Sequence, residues 1–355
     1  MAIFSDDNKE KKYCTPKEKN PLTKTEVIEY DKTFENSIRP NTFADYIGQT
    51  ELKETLEVSI EAAKIRQTAL DHLLFYGPPG LGKTTLAMVI ANQMNTDIKI
   101  TSAPSLERPR DIIGLLMSIK SGSILFIDEI HRLNKISEEI LYPAMEDFAL
   151  DMTSGKSQTV QSIRVPIPKF TLIGATTKAG ALSGPLRDRF GIIHRLQFYS
   201  QEELTQVVKR TANILNIKIT DDGAETIAQA SRGTPRIANR LVKRVADFAL
   251  IEHDGLITKD VAESSLKRLK IDKYGLDSTD RQLIQFIVEN YDGGPVGIET
   301  IAAALCEDVK TIEDIYEPYL MQLGLLQRTP RGRKVSPAGY RHLGIKANIE
   351  QQTLF

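Results

Sequence analysis

The 355-residue chain has little of several things, and each shortage closes off a class of protein. It has only two cysteines, Cys14 and Cys306, which excludes a disulfide scaffold and a cysteine-rich zinc site. The five histidines stand singly, so they suggest no metal cluster. No apolar run approaches the ~18 residues that cross a bilayer. The opening stretch, MAIFSDDNKEKKYC, lacks an apolar leader core. Neither sign of charge is in excess: 46 Lys and Arg stand against 47 Asp and Glu, so any nucleic-acid footprint must be local. The expectation is a soluble, cytoplasmic chain with no membrane role. At ~150 residues per domain it has room for two or three domains.

What is present divides the chain by pattern. Residues 1–33 mix Lys with Asp and Glu and hold few apolar side chains, which predicts a mobile tail; residues 346–355 form a second tail. Apolar positions recur at helical spacing over 51–66. Short apolar runs at 72–76, 123–127 and 170–174 alternate with helical segments such as 84–94. That alternation predicts a parallel α/β sheet in a domain of residues 34–199. From residue 200 the pattern becomes amphipathic helices at 201–215, 221–231, 235–252 and 258–270, a small helical domain spanning 200–270. Beyond 271 come helices at 278–290, 298–305 and 311–323, then strand-like segments at 325–329 and 334–336. Three helices and a hairpin predict a winged-helix domain over 271–345.

Gly77–Thr84 (GPPGLGKT) fits G-x-x-x-x-G-K-[ST] and sits between a strand and a helix, the context this motif needs. Glycines let backbone N–H groups curl around a polyphosphate at a positive helix end. Lys83 supplies charge for the β- and γ-phosphates of ATP, and the Thr84 hydroxyl can ligate Mg²⁺. The strand at 124–127 ends in Asp128 and Glu129. Asp128 would hold the metal; Glu129 would orient and deprotonate the attacking water. The 170–174 strand leads to Thr176 and Thr177, either of which could position the same water. Arg187 and Arg189 lie in a loop, where an arginine taken alone is simply solvated. Thr234-Pro235 starts a helix and puts Arg236 in its first turn, against the helix dipole, which suggests an anionic partner.

These residues carry a resemblance. RPNTFADYIGQ (39–49), DHLLFYGPPGLGKTTLA (71–87), LFIDEIHRLN (125–134), FTLIGATT (170–177), LRDRFGI (186–192), SRGTPRIANRL (231–241), GGPVG (293–297) and EPYLMQLGLLQRTPRGR (317–333) occur in order. Over about 34–345 the chain resembles the RuvB family, AAA+ motors of bacterial Holliday-junction branch migration. The resemblance implies an α/β P-loop ATPase domain, a helical lid and a C-terminal winged helix, working as a homohexameric ring on double-stranded DNA. It implies that Ile38 and Arg39 meet the adenine and ribose. Gly80, Gly82, Lys83, Thr84 and Thr85 would hold the phosphates and Mg²⁺. The backbone of Glu146, Asp147 and Phe148, with Tyr199, would complete the pocket. Arg189 resembles a finger acting in trans, and Arg236 a second sensor; Thr176 and Thr177 both remain open as the first. The segment Leu150–Pro166 reads as a hairpin, which in this family docks a RuvA-like junction-recognition protein. A RuvC-like resolvase belongs to the same implied complex.

Residues 328–341 hold Arg328, Arg331, Arg333, Lys334 and Arg341 with no acid, a basic patch in a neutral chain. Arg328 and Arg333 are the expected DNA contacts, with Lys310 adding to them. The helix before the wing carries Glu313, Asp314 and Glu317, a poor face for an acidic groove. Contact is therefore expected through the wing, with the DNA backbone rather than the bases. Two other readings stand beside the motor. A clamp-loader-like switch would end in a helical collar, and a nucleotide-gated DNA-binding regulator would not need Glu129.

Overall fold

The computed structural model describes residues 37–154 and 161–345. The two expected tails and the turn inside the 150–166 segment lie outside the described residues. The chain forms two compact bodies, one of residues 37–214 with 233–236, the other of 215–232 with 237–345.

The first body is built on a parallel sheet of β1 (Leu73–Tyr76), β2 (Ile98–Ser102), β3 (Ile124–Asp128), β6 (Thr171–Thr176) and β7 (Ile192–Arg195), in the order β2-β3-β6-β1-β7. The three inner strands are the apolar runs read from sequence, because strands covered on both faces need no alternation. β2 and β7 are not among those apolar runs. Both are edge strands, and their half-exposed, alternating side chains give no apolar run. Antiparallel β4 (Ala149–Ser154) and β5 (Gln161–Pro166) make the expected hairpin. Helix α1 (Thr50–Arg66) buries Leu52, Leu56, Ile60 and Ala63 along one stripe. Helices α2 (Lys83–Met94), α3 (Pro109–Met117), α4 (Lys135–Glu146), α5 (Gly184–Arg187) and α6 (Gln201–Ile214) complete this body. One sheet face, with Leu125, Ile127 and Leu172, buries Ile112 and Leu116 of α3 and Leu141 and Met145 of α4. The register aligns Tyr76 with Thr176, and Ser102 with Asp128. Neighbouring parallel strands thus end on one edge, where such sheets bind ligands.

The second body holds a two-residue parallel pair, β8 (Lys218–Ile219) with β9 (Leu256–Ile257). Its helices begin with α7 (Asp221–Gln229), α8 (Pro235–Glu252), which belongs to this body from Ile237 onward, and α9 (Lys259–Arg268). Next come α10 (Ser278–Tyr291), α11 (Ile298–Leu305) and α12 (Val309–Thr311), which runs through a π-wound turn at Ile312–Tyr316 into α13 (Glu317–Gln322). The wing is β10 (Leu326–Thr329) against β11 (Gly332–Val335), followed by α14 (Pro337–His342). The expected helix order holds; α14, capped by Ser336, had no sequence signal strong enough to read. GGPVG and the wing prove to be one unit. Val296 exchanges both backbone hydrogen bonds with Arg333, at 2.9 and 2.7 Å. A Cβ on Gly294 would sit 2.5 Å from the Arg333 carbonyl, so only glycine allows that approach. Buried Arg232 donates to Asp280 at 2.9 and 3.3 Å and lies over the Tyr319 ring at 4.8 Å. Burial pushes the Asp280 carboxyl up to about 7, against the pull of Arg232. Among the described residues no helix is long and apolar enough to cross a membrane.

Candidate active site

At the end of β1 the chain turns through Gly77, Gly80 and Gly82, all at positive φ, into the first turn of α2. No acidic residue occupies that first turn, so the positive helix end is not offset. Lys83 lies buried at 8% exposure, its Nζ donating to the Gly77 and Pro78 carbonyls at 2.8 and 2.9 Å. Burial pushes this amine down to about 8, with Asp128 pulling it back up and Arg236 adding to the fall. A cation held by neutral carbonyls in low dielectric is under-compensated, and a polyphosphate is the anion that fits. The GTPR segment closes this cradle. The Arg236 N–H points at the Gly80 carbonyl at 3.4 Å, and a Cβ on Gly80 would meet Arg236 Cβ at 3.4 Å.

Asp128 ends β3, and its Oδ1 accepts from the Glu129 N–H at 2.9 Å. Burial raises its carboxyl above the ordinary value; the Glu129 N–H and Lys83 lower it. Glu129 adopts φ 50, and Arg132 donates to its Oε2 at 3.1 Å. The buried Thr176 hydroxyl is shared between His131 Nδ1 at 2.8 Å and the Lys178 N–H at 2.9 Å, while Thr177 is half-buried. His131 and Arg132 were missed as site residues. Their signal was present in IDEIHRLN, but a left-handed turn at Glu129 is what brings Arg132 back onto it. Thr84 and Thr85 lie half-buried in the first turn of α2. The described residues hold no group of three His, Cys, Asp or Glu able to cage a metal alone. One hydroxyl and one carboxylate do fit Mg²⁺, which takes few protein ligands and completes its shell with phosphate and water.

Ile38 is buried, and its carbonyl accepts from Arg210 at 2.7 Å; Arg39 donates to the Met88 sulfur on α2 at 3.0 Å. Tyr199, also buried, donates to Tyr46 at 3.3 Å, and the Tyr46 oxygen lies 3.0 Å from where a Cβ on Gly82 would be. Burial pushes the Tyr46 phenol up to about 12. Arg210 gave no sequence signal, because it is an isolated residue recruited by folding, whereas Tyr46 lies within the RPNTFADYIGQ motif.

Glu146 ends α4, and Asp147 and Phe148 follow it. Glu146 accepts from Arg189 at 3.0 Å, Asp147 pairs with Arg164 of the hairpin, and the Phe148 ring packs on His72 and Phe170. Arg189 lines a groove of about 410 Å³ with Tyr142, Glu146 and Leu150. Arg187, the last residue of α5, is exposed. On the hairpin, Met152 and Ile163 face each other across the strands and are 36% and 49% exposed, an apolar pair turned to solvent.

The wing requires a correction. Arg328, Arg331, Lys334 and Arg341 are exposed, as is Lys310. Arg333, expected to contact DNA, is buried at 7% exposure. Its guanidinium binds both oxygens of buried Glu317, with NH2 to Oε2 at 3.1 Å, and reaches Glu313 at 3.2 Å. Strand alternation turns position 333 inward while 334 faces out. The acidic helix face is corrected with it: Glu317 is spent on Arg333, and Glu313 on Arg333 and on Arg328 at 3.6 Å.

Comparison with known proteins places this geometry. Residues 38–196 match the family described as Holliday junction DNA helicase RuvB P-loop domain. Residues 199–272 match the RuvB AAA lid domain, and 273–344 the RuvB C-terminal winged helix domain. The Nostoc punctiforme protein named Holliday junction branch migration complex subunit RuvB is 56% identical over 339 residues, covering 96% of this chain and 93% of that protein. The subunit named RuvB 1 of Synechococcus sp. is 58% identical over 313 residues, covering 88% and 83%. A solved Thermotoga maritima RuvB, titled as a Holliday junction branch migration motor, superposes with a TM-score of 0.79 at 47% identity, covering 87% of this chain and 99% of that one. Matched from residue 38 to 344 by three successive domain families, and more than half identical to relatives along most of its length, the chain belongs to the RuvB family.

Proposed function

We propose that this chain is an ATP-driven DNA translocase that moves duplex DNA through a Holliday junction as a ring of six copies. The observation that carries the reading is the meeting of Lys83, Asp128 and Glu129 at one sheet edge, in a chain that ends in a winged helix with basic outer positions. Residues 34–199 act as the ATPase domain, 200–270 as the lid and 271–345 as the DNA-contacting domain.

The backbone of Gly77–Thr85 and the Lys83 amine hold the phosphates of ATP; Ile38, Arg39 and Tyr199 border its base and ribose. Thr84 and Asp128 hold Mg²⁺, which when bound neutralises charge on the β- and γ-phosphates. Glu129 takes the proton of the attacking water, for which its carboxylate must first be freed from Arg132. The Thr176 hydroxyl is already engaged on two sides, so Thr177 is the better-placed sensor of the γ-phosphate. Arg189 serves the nucleotide of the neighbouring copy, and the backbone of Glu146–Phe148, on the same patch, serves it too. Arg236, next to Gly80 at the start of the lid helix, senses the γ-phosphate in its own copy and links hydrolysis to lid movement. Arg328, Arg331, Lys334, Arg341 and Lys310 touch the DNA backbone, a contact without base reading that lets a motor release each phosphate group as it takes the next. The exposed Met152–Ile163 pair suits docking of a RuvA-like protein, and a RuvC-like resolvase shares the complex in the cytoplasm.

ATPase rates of wild type and Glu129→Gln, with and without four-way-junction DNA, test the reading. The wild type should be stimulated by DNA, and the variant should bind ATP but lose roughly 10²–10⁴-fold in turnover. Turnover indifferent to DNA would favour the clamp-loader-like switch, and an active Glu129→Gln enzyme would remove the proposed base.

A further inference from the structure

One face of α4 is spent on a single target. Glu138, Tyr142 and Glu146 are spaced four residues apart and so stack along one side of the helix. All three engage the segment Ser183–Arg189. Ser183 Oγ donates to Glu138 Oε2 at 2.6 Å, and the Tyr142 hydroxyl donates to the same oxygen at 3.3 Å. Tyr142 and Ser183 oxygens lie 3.2 Å apart. The Tyr142 ring lies 4.5 Å from the Arg189 guanidinium, and Glu146 Oε2 accepts from Arg189 NH2 at 3.0 Å. Ser183 also accepts from the Leu186 N–H, capping α5, and Arg189 NH1 donates to the Pro185 carbonyl at 2.6 Å.

A generic helix packing would not need these residue types. Glu138 is a carboxylate only 8% exposed, an expensive group to bury unless its hydrogen bonds fix something. What they fix is the base of the turn that ends in Arg189. A long, rotamer-rich arginine directed at a neighbour's phosphate needs its approach set in advance, because ring and carboxylate contacts remove freedom that binding would otherwise have to remove.

We infer that Glu138, Tyr142 and Glu146 are positioning residues for Arg189, a three-rung support that sets how the arginine is presented to the adjoining copy of this chain. The inference rests on the proposal that Arg189 acts in trans. None of the three touches the reacting atoms; they act through the arginine.

The test uses full-length rings with Glu146→Gln, Tyr142→Leu and Tyr142→Phe, beside Arg189→Ala. Glu146→Gln and Tyr142→Leu should lower kcat by roughly tenfold, less than loss of the arginine itself, with KM for ATP within about twofold. Tyr142→Phe keeps the ring and should recover at least half of the turnover that Tyr142→Leu loses. Mixing either impaired variant with Lys83→Ala subunits, which keep an intact Arg189 support, should restore turnover at the variant's own P-loops. Unchanged kcat in both variants, with Arg189→Ala inactive, overturns the support and leaves the trans arginine standing. A fully active Arg189→Ala ring removes the trans reading and this inference with it. Mixed rings that stay slow place the damage inside the variant subunit and also overturn it. Glu146→Gln changes an exposed position at constant size, so it remains readable if Tyr142→Leu folds poorly.

Discussion

Lys83 and Arg333 are both buried cations, 8% and 7% exposed, and they sit in different bodies of the molecule. Lys83 is held by two carbonyl oxygens, and burial drives its amine down to about 8. Arg333 lies between two carboxylates, which more than offset the cost of its burial. The difference separates a site from a strut. A cation whose near partners are neutral retains affinity for an incoming anion, whereas one already paired has spent it.

The largest expected effect comes from removing each charge in turn. Arg333→Met should destabilise the second body by about 3 kcal/mol, because it leaves Glu317 buried without its partner. Lys83→Met should cost no stability and gain about 1 kcal/mol, since it deletes an under-compensated charge, while nucleotide binding is lost. Thermal unfolding of the two variants reads both signs. Equal losses would mean that the neutral-partner argument for Lys83 is wrong.

The contrast also explains what could be read in advance. The phosphate cradle, Asp128 and Glu129 were legible because a backbone turn dictates them within a few consecutive residues. Arg236 stands out in the sequence by its position against a helix dipole. Arg333 was misread because a run of like charge carries no record of direction. Its partners, Glu313 and Glu317, lie 20 and 16 residues upstream and meet it only through strand alternation and the Val296 pairing. The resemblance implies a backbone role for Glu146, yet its side chain finds Arg189 from 43 positions away. The edge strands β2 and β7 escaped for a related reason: a strand covered on one side lacks the apolar run that marks the inner three.

A smaller effect follows from pH. Lys83, at about 8 when folded and 10.5 ordinarily, is charged in both folded and unfolded chains below pH 8. Between about 8 and 10.5 the unfolded chain keeps a proton that the folded, nucleotide-free protein sheds, so this group's penalty to stability is relieved as pH rises. Nucleotide binding, if the Lys83 cation holds the phosphates as proposed, runs the opposite way. Affinity for ATP should be flat below pH 8 and fall by about tenfold per unit above it. Phosphate ionisation cannot mimic this, because its last pKa is about 6. Equilibrium titration of the Glu129→Gln protein at pH 7, 8 and 9 measures it without hydrolysis. A flat profile to pH 9 would mean that Lys83 is not the group holding the phosphates.

The smallest effect is the one that sharpens the wing. Arg331 is exposed in the turn between β10 and β11, two residues from Arg333 and on the solvent side. A surface cation held by no buried carboxylate contributes little to folding, so Arg331→Ala should unfold within about 0.5 kcal/mol of wild type. Its contact with a phosphate would release one counterion. DNA affinity should therefore fall a few-fold for every sequence alike, and the slope of log affinity against log salt should drop by about 1. The same titration on Arg333→Met must be made below its lowered melting point, where the salt slope should match wild type because Arg333 is buried against Glu313 and Glu317. If Arg333→Met loses a unit of slope while still folded, the strut opens when DNA binds. If Arg331→Ala keeps the full slope, the wing tip is not where the backbone is held, and the contact shifts to Arg328, Lys334 and Arg341 on the neighbouring elements.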